Sequence, residues 1–348
     1  MKIAFILPSL AFAGPILVAK YIIDHLSQEN DIDVYYFDNK VELEINANLY
    51  QINLFTPIDF KKYDIIHTHM LRPDFYMFFW SMIKKFSAKK ISTIHQNISD
   101  DQKTLRSNIS AKLVTVLWHT FLKTNNGVVT LNNEMYTTYK SCFPNIKVLN
   151  IPNGISEIKL LDEVPQDDLL KIIKLKSKYK CIGTASRIVK RKRLDQIINA
   201  LPFLEDFCFI CIGEGEELEN LKNIAKKNNT LDRVLFLGKR NNARIYYKYF
   251  DVFGMTSSNE GSPISLLEAA ALGIPSVCNN IPIFRDLFNS NEVSFFEYNN
   301  IESLSDAIIF AYDNSEILSM KIHERFIESY TSKIMAKNYY KFYNKLIN

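Results

Sequence analysis

The chain has 348 residues, 47% of them hydrophobic and 23% charged, with a net charge of +4. That length holds two ordinary domains with their own cores, and that composition excludes a disordered or fibrous chain. Residues 1–158 carry 16 Lys/Arg against 14 Asp/Glu, so the small surplus is not concentrated in one half, and nucleic acid is not an expected partner.

The opening MKIAFILPSLAFAG is interrupted by Pro8 and reads as a first buried strand, not as a signal peptide. Nowhere do about 18 apolar residues run together, so no segment is expected to span a membrane. The five cysteines, Cys142, Cys181, Cys208, Cys211 and Cys278, have no regular spacing. They suit a reducing compartment, and a cytoplasmic protein is expected.

After KIAFILP, the runs DVYYFD, DIIHTH, KISTIHQN, GVVTLN and KVLNIPNG read as strands. Helix-period stretches such as PILVAKYIIDHLSQE and PDFYMFFWSMIKKF lie between them. His67 and His69 are read as facing opposite sides of their strand, which leaves no metal pair. PDFYMFFWSMIKKFSAKK is apolar and then basic at Lys84, Lys85, Lys89 and Lys90. With AKLVTVLWHTFLK, it reads either as core or as a face resting peripherally on an anionic membrane surface.

The polar, acidic stretch NGISEIKLLDEVPQDDLLKIIK marks a boundary, dividing residues 1–158 from residues 159–330. Beyond it the pattern repeats in KCIGTASR, FCFICIG, RVLFLG, DVFGMTS and IPSVCNN. Cys208 and Cys211 fall inside one of these apolar runs and read as buried strand rather than a zinc or redox pair. Residues 331–348 form an aromatic helix that either closes the second domain or crosses back to the first. Apolar strands alternating with helices imply α/β architecture, with two doubly wound, Rossmann-like parallel sheets.

The chemistry concentrates in NEGSPISLLEAAALGIPSV. Ser262–Pro263 reads as an N-cap and first-turn pair, opening a helix from Pro263 to about Leu272 that stops at Gly273. The amides of Gly261 and Ser262 and the helix N-terminus make an anion site at a strand's carboxyl end. Glu268 leans back toward it, and Glu260 sits on the loop before it. Carboxylates there suit a sugar hydroxyl pair and a ribose diol. In TASRIVKRKRLDQII, Arg187 and Lys192 flank a strand-to-helix turn and can clamp a diphosphate.

Glu260 and Glu268 match the E-x7-E motif of retaining glycosyltransferases, and EGSPISLLEAAALGIPSV resembles that of family 4, which has the GT-B fold. DIIHTH, STIHQN, IPNGI, SRIVKRKRLDQII, CIGEGEELENL, VLFLGKR and DVFGMTSS match in order along most of the chain. The resemblance implies a retaining hexosyl- or N-acetylhexosaminyl-transferase acting without metal or other cofactor, with its active site in an interdomain cleft. The donor would be a nucleotide-sugar, UDP preferred. The acceptor would be a glycan or lipid-linked saccharide of surface polysaccharide, such as lipopolysaccharide, O-antigen or capsule.

By the same resemblance, Arg187 and Lys192 bind the donor diphosphate, Glu260 the transferred sugar and Glu268 the ribose. Gly261 and Ser262 meet sugar and phosphate, and His95 faces the donor sugar. Gly213 and Lys239 fall on matched donor-side motifs. Gly14 matches a glycine-rich loop that is usually double-glycine, whereas here it reads AFAGP. Asp31-Ile32-Asp33 has the D-x-D form of metal-dependent transferases but reads as an ordinary strand edge. The rival readings are a nucleotide-sugar epimerase of the same fold and a non-catalytic nucleotide-sugar-binding module. An NAD oxidoreductase is disfavoured, because no G-x-G-x-x-G follows the first strand.

Overall fold

The computed structural model describes residues 1–99, 102, 107–158 and 162–348. They form two compact units, one of Met1–Ser156 with Tyr330–Asn348 and one of Glu157–Ser329. The 158/159 boundary read from the sequence abuts residues 159–161, which lie outside the described residues.

The first unit is built on a parallel sheet of β1 (Lys2–Leu10), β2 (Asp31–Val41), β3 (Asn48–Gln51), β4 (Ile65–His69), β5 (Lys89–Thr93), β6 (Gly127–Thr130) and β7 (Lys147–Asn150). Their order is β3-β2-β1-β4-β5-β6-β7. Strand order reverses between β1 and β4, the switch point at which doubly wound sheets open a crevice at their carboxyl ends. Pro8 lies within β1 but costs no ladder bond to β4, because that pairing ends with Ile6 opposite Thr68. Asp31 opens β2, an interior strand between β1 and β3. Asp33 is buried and accepts from Tyr63 Oη and from Asn48 Nδ2 at 2.9 Å, so it serves the sheet.

His67 and His69 correct the sequence reading. Residues two apart in a strand share a face, and the two imidazoles are 4.4 Å apart between ring centres. His67 Nδ1 lies 2.7 Å from Tyr343 Oη, and its Nε2 lies 2.8 Å from Thr93 Oγ1. Thr93 Oγ1 also meets Tyr339 Oη at 3.0 Å. Tyr339 and Tyr343 belong to the Ser332–Ile347 helix, so β4 and β5 hold the last helix of the chain by buried hydrogen bonds. The backbone does the same at Ile155, whose N–H donates to Tyr330 O at 3.0 Å and whose carbonyl accepts from Ser332 N at 2.8 Å.

Elsewhere in this unit Asp74, in the first turn of the Leu71–Ile83 helix, is buried beneath three donors. Thr68 Oγ1 lies at 2.5 Å, Ser92 Oγ at 3.0 Å and Trp118 Nε1 at 2.7 Å. Burial raises its carboxyl to about 6 against the pull of those three bonds.

The second unit has β8 (Lys180–Ala185), β9 (Phe207–Ile212), β10 (Val234–Gly238), β11 (Val252–Met255), β12 (Ser276–Asn279) and β13 (Ser294–Phe296). They are parallel, in the order β10-β9-β8-β11-β12-β13. Every residue of β9 is buried, Cys208 and Cys211 included. The switch point here lies between β8 and β11, paired through Val252–Ile182 and Phe253–Gly183.

The helix after β11 runs Ile264–Ala271, and its N-cap is Pro263, one residue later than read from the sequence. Pro263 has ψ 101°, outside the helical range, while its carbonyl already accepts from Leu266 N and Leu267 N. The helix ends as expected at Gly273, whose φ is +63°. Ile274 N donates to Ala269 O at 2.9 Å and Gly273 N to Ala270 O at 3.1 Å, the paired bonds of a Schellman stop.

Candidate active site

The carboxyl ends of β8 and β11, neighbours at the switch point, feed the two loops that carry most of the expected donor-side residues. From β8 the chain passes Arg187 into a short 3-10 turn at Lys190–Lys192. From β11 it passes through residues 256–263 into the Ile264–Ala271 helix. Hydrogen bonds to backbone carbonyls join the loops. Ser258 N donates to Arg191 O at 2.9 Å, and Thr256 Oγ1 donates to Lys192 O at 2.9 Å.

Glu260 sits where they meet, its side chain only 7% exposed. Lys192 Nζ donates to its Oε1 at 2.6 Å, and Arg191 Nη1 lies 2.8 Å from its Oε2. Burial alone would raise this carboxyl. The charges and hydrogen bonds of Lys192 and Arg191 overcome that and bring it down to about 2. Glu260 is therefore an ionised acceptor over the whole working pH range. Arg187 is exposed, and its guanidinium makes no hydrogen bond or ion pair among the described residues.

Glu268 is buried on the helix and has a partner set of its own. Arg244 Nε donates to Oε1 at 2.7 Å and Tyr247 Oη to Oε2 at 3.1 Å. Burial pushes this carboxyl up by more than Arg244 and Tyr247 draw it down. Gly261 and Ser262 are buried between Glu260 and the helix start. Gly213 follows β9 with φ +144°, and a Cβ there would stand 1.9 Å from Ser186 O. Only glycine lets β9 pass this close to the chain entering Arg187. Lys239 is exposed just after β10. The next residue, Arg240, grips Asp168 with two bonds of 2.7 and 2.9 Å.

His95 and Gly14 lie in the first unit, each at a carboxyl strand end. Gly14 opens the Gly14–Leu26 helix after β1. His95 follows β5 and is part-buried, with Nε2 2.8 Å from His69 Nδ1. His69 is wholly buried, and its Nε2 has no partner among the described residues. Burial keeps His95 neutral down to about 3. It can donate or accept a hydrogen bond near neutrality, but it carries no charge.

Lys192 and Glu260, 68 residues apart, are thus in direct contact. Three participants escaped the sequence reading: Arg191, Arg244 and Tyr247. Arg191 stood inside the quoted KRKR without a role, and nothing in a run of four basic residues singles it out. Tyr247 and Arg244 lie in a 3-10 stretch, Ala243–Tyr249, whose apolar and aromatic character reads as packing.

The family model "Glycosyl transferases group 1" matches residues 165–331. An O-antigen biosynthesis glycosyltransferase, WclY of Escherichia coli, is 28% identical over 361 aligned positions, covering 99% of each chain. The E. coli UDP-Gal:alpha-D-GlcNAc-diphosphoundecaprenol alpha-1,3-galactosyltransferase is 26% identical over 80% of this chain and 74% of its own length. Among solved structures, Anabaena HepE in complex with UDP superposes with a TM-score of 0.81 at 15% identity, over 99% of this chain and all of that one. These likenesses agree with two doubly wound sheets of the GT-B fold. The match to group 1 glycosyltransferases spans the segment that holds Arg187, Lys192, Glu260 and Glu268, and the O-antigen glycosyltransferase likeness extends over the whole chain.

Proposed function

We propose that the chain transfers a hexosyl or N-acetylhexosaminyl group from a UDP-sugar to a lipid-linked or glycan acceptor in bacterial surface-polysaccharide synthesis, with retention and without metal. The observation that carries this reading is Glu260 held ionised between Arg191 and Lys192 at the β8/β11 switch point. An anionic hook for sugar hydroxyls and a cationic clamp for a leaving diphosphate then stand side by side. UDP as the nucleotude is supported by HepE, which was solved with UDP. A lipid-linked acceptor is supported by the galactosyltransferase relative, whose acceptor is a diphosphoundecaprenol-linked sugar.

In this reading the bond from the anomeric carbon to the diphosphate oxygen breaks as negative charge grows on the diphosphate. Arg187 and Lys192 stabilise that charge, the part a divalent cation plays in other transferases. The acceptor hydroxyl attacks from the side the diphosphate leaves, and a phosphate oxygen takes its proton, so no separate protein base is required. Glu260 and the Gly261 and Ser262 amides hold the sugar, and Glu268 holds the ribose. Gly213 and Lys239 border the donor, while His95 and Gly14 meet substrate at the strand ends of the first unit.

The decisive assay is UDP release from a UDP-sugar with and without a lipid-linked saccharide acceptor, in the presence of a chelator. Acceptor-dependent release that survives chelation is expected. Acceptor-independent conversion of the sugar would identify an epimerase, and tight binding without turnover a binding module. Arg187→Ala and Lys192→Ala should each lower turnover about a hundredfold. Near-wild-type rates in either would contradict the clamp.

We also propose peripheral contact with the inner membrane surface. No helix among the described residues is long and apolar enough to cross a bilayer. The Asn108–Leu122 helix instead exposes Ile109, Leu113, Val116 and Leu117, spaced to share one side.

A further inference from the structure

We propose that Arg191 is a positioning residue for Glu260 whose effect is to leave the Lys192 ammonium available to the diphosphate of the donor. This inference rests on the donor reading above. It concerns how one buried carboxylate is shared between two cations.

Lys192 Nζ carries three donors, and among the described residues only Glu260 Oε1 receives one of them. Its side chain is 13% exposed. Were Lys192 the sole partner of Glu260, the two would form a closed, nearly buried pair. A diphosphate could recruit the ammonium only by stripping a buried carboxylate of its counter-charge, which proteins resist strongly.

Arg191 removes that conflict. Its Nη1 donates to Asn259 O and lies 2.8 Å from Glu260 Oε2. Its carbonyl accepts from Ser258 N at 2.9 Å and from Ser258 Oγ at 3.2 Å. The guanidinium is thus anchored to the same 258–260 loop that carries the acid, through bonds independent of any ligand. A planar, multiply donating group of this kind holds its place better than a flexible ammonium does. Glu260 keeps one fixed cation throughout, and Lys192 can swing its remaining donors, and much of its charge, toward the phosphate oxygens.

Charge counting agrees. At the contact itself, Arg191 and Lys192 set against Glu260 leave one positive charge, which suits a diphosphate that also meets Arg187. With Arg191 neutral that surplus is gone, and Glu260 claims Lys192.

The test is calorimetric titration of the full chain with UDP and, separately, with uridine. Arg191→Met and Arg191→Gln should weaken UDP binding roughly tenfold or more, the worth of a lost charged hydrogen bond, and leave uridine binding unchanged. Arg191→Lys should restore most of the UDP affinity. The double variant Arg191→Met/Glu260→Gln should also recover it, because no carboxylate remains to capture Lys192. UDP affinity unchanged in both single variants, uridine affinity falling in step with UDP, or a double variant no better than Arg191→Met would each overturn the proposal. A wild-type chain that binds no UDP would refute the donor reading instead. Thermal melts of each variant identify unfolded protein, and the double variant, which leaves no buried carboxylate unpaired, still decides the question if the single neutral variants do not fold.

Discussion

Asp74 and Glu260 are both buried acids, and their surroundings take them in opposite directions. Two cations bring the Glu260 carboxyl down to about 2. Asp74 has three neutral partners, and burial raises it to about 6. The hydrogen count at Asp74 fits a carboxylic acid. Thr68 Oγ1 lies 2.5 Å from Asp74 Oδ1 and 3.1 Å from Ile91 O, yet a hydroxyl has one proton to give. If Asp74 is protonated it donates to Thr68, and Thr68 donates to Ile91. Its folded pKa lies above the ordinary 3.8, so folding takes up a proton between those two values. Stability from this group therefore falls as pH rises through that window, by an amount on the order of 3 kcal/mol. Asp74→Asn, which keeps a donor toward Thr68, should flatten that slope. Urea unfolding of both proteins at pH 4.5 and 7.5 measures it, and parallel pH profiles would exclude the role. At this scale the sequence exposed Lys192 and Glu260 through the residues around them, but it could not separate the arginines of KRKR. Arg193 takes a left-handed φ of +50° and turns to Asp195 and Tyr298. Arg193 thus has partners of its own while Arg191 meets Glu260, and no composition rule encodes the difference.

Among the elements, those with a strong apolar period were legible and the weak ones were not. β1, β4, β6, β8, β9 and β11 are nearly all buried and stood out as apolar runs. β3 escaped because all four of its residues are exposed, so no face alternates. The start of the Ile264–Ala271 helix was displaced by one residue because a Ser-Pro pair offers two ways to open a helix, and here the proline carbonyl opens it. The last helix was legible as a helix. The core that receives it was not, because its docking rests on polar contacts from Tyr339 and Tyr343 to buried Thr93 and His67. Gly154 tests this docking. A Cβ on it would stand 2.4 Å from the Thr331 carbonyl oxygen, which is backbone and cannot rotate away. Gly154→Ala should cost about 1–3 kcal/mol, seen as a lower urea midpoint. An unchanged midpoint would mean that the helix is not held at this point.

For the molecule as a whole, the apolar side chains turned outward bear on the proposed membrane contact. Ile109, Leu113, Val116 and Leu117 protrude from one helix, and Met82 and Ile83 from the end of another that packs beside it through Phe78 and Phe121. Lys84, Lys85, Lys89 and Lys90 line a cavity of about 540 Å³ directly after Met82 and Ile83. An apolar face bordered by lysines suits the boundary between anionic headgroups and acyl chains. The protein should therefore float with phosphatidylglycerol vesicles at low salt and not with phosphatidylcholine alone. Lys84→Glu/Lys85→Glu should lower partitioning at least about tenfold. Equal flotation with both lipids, or none with either, would remove the membrane contact from the account. The pairing of Ile155 with Tyr330 and Ser332 carries another consequence. Residues 157–329 leave and rejoin the first unit at hydrogen-bonded neighbours, so the second unit is a cassette with adjoining ends. Evolution can replace such an insert without disturbing the scaffold on either side of the splice.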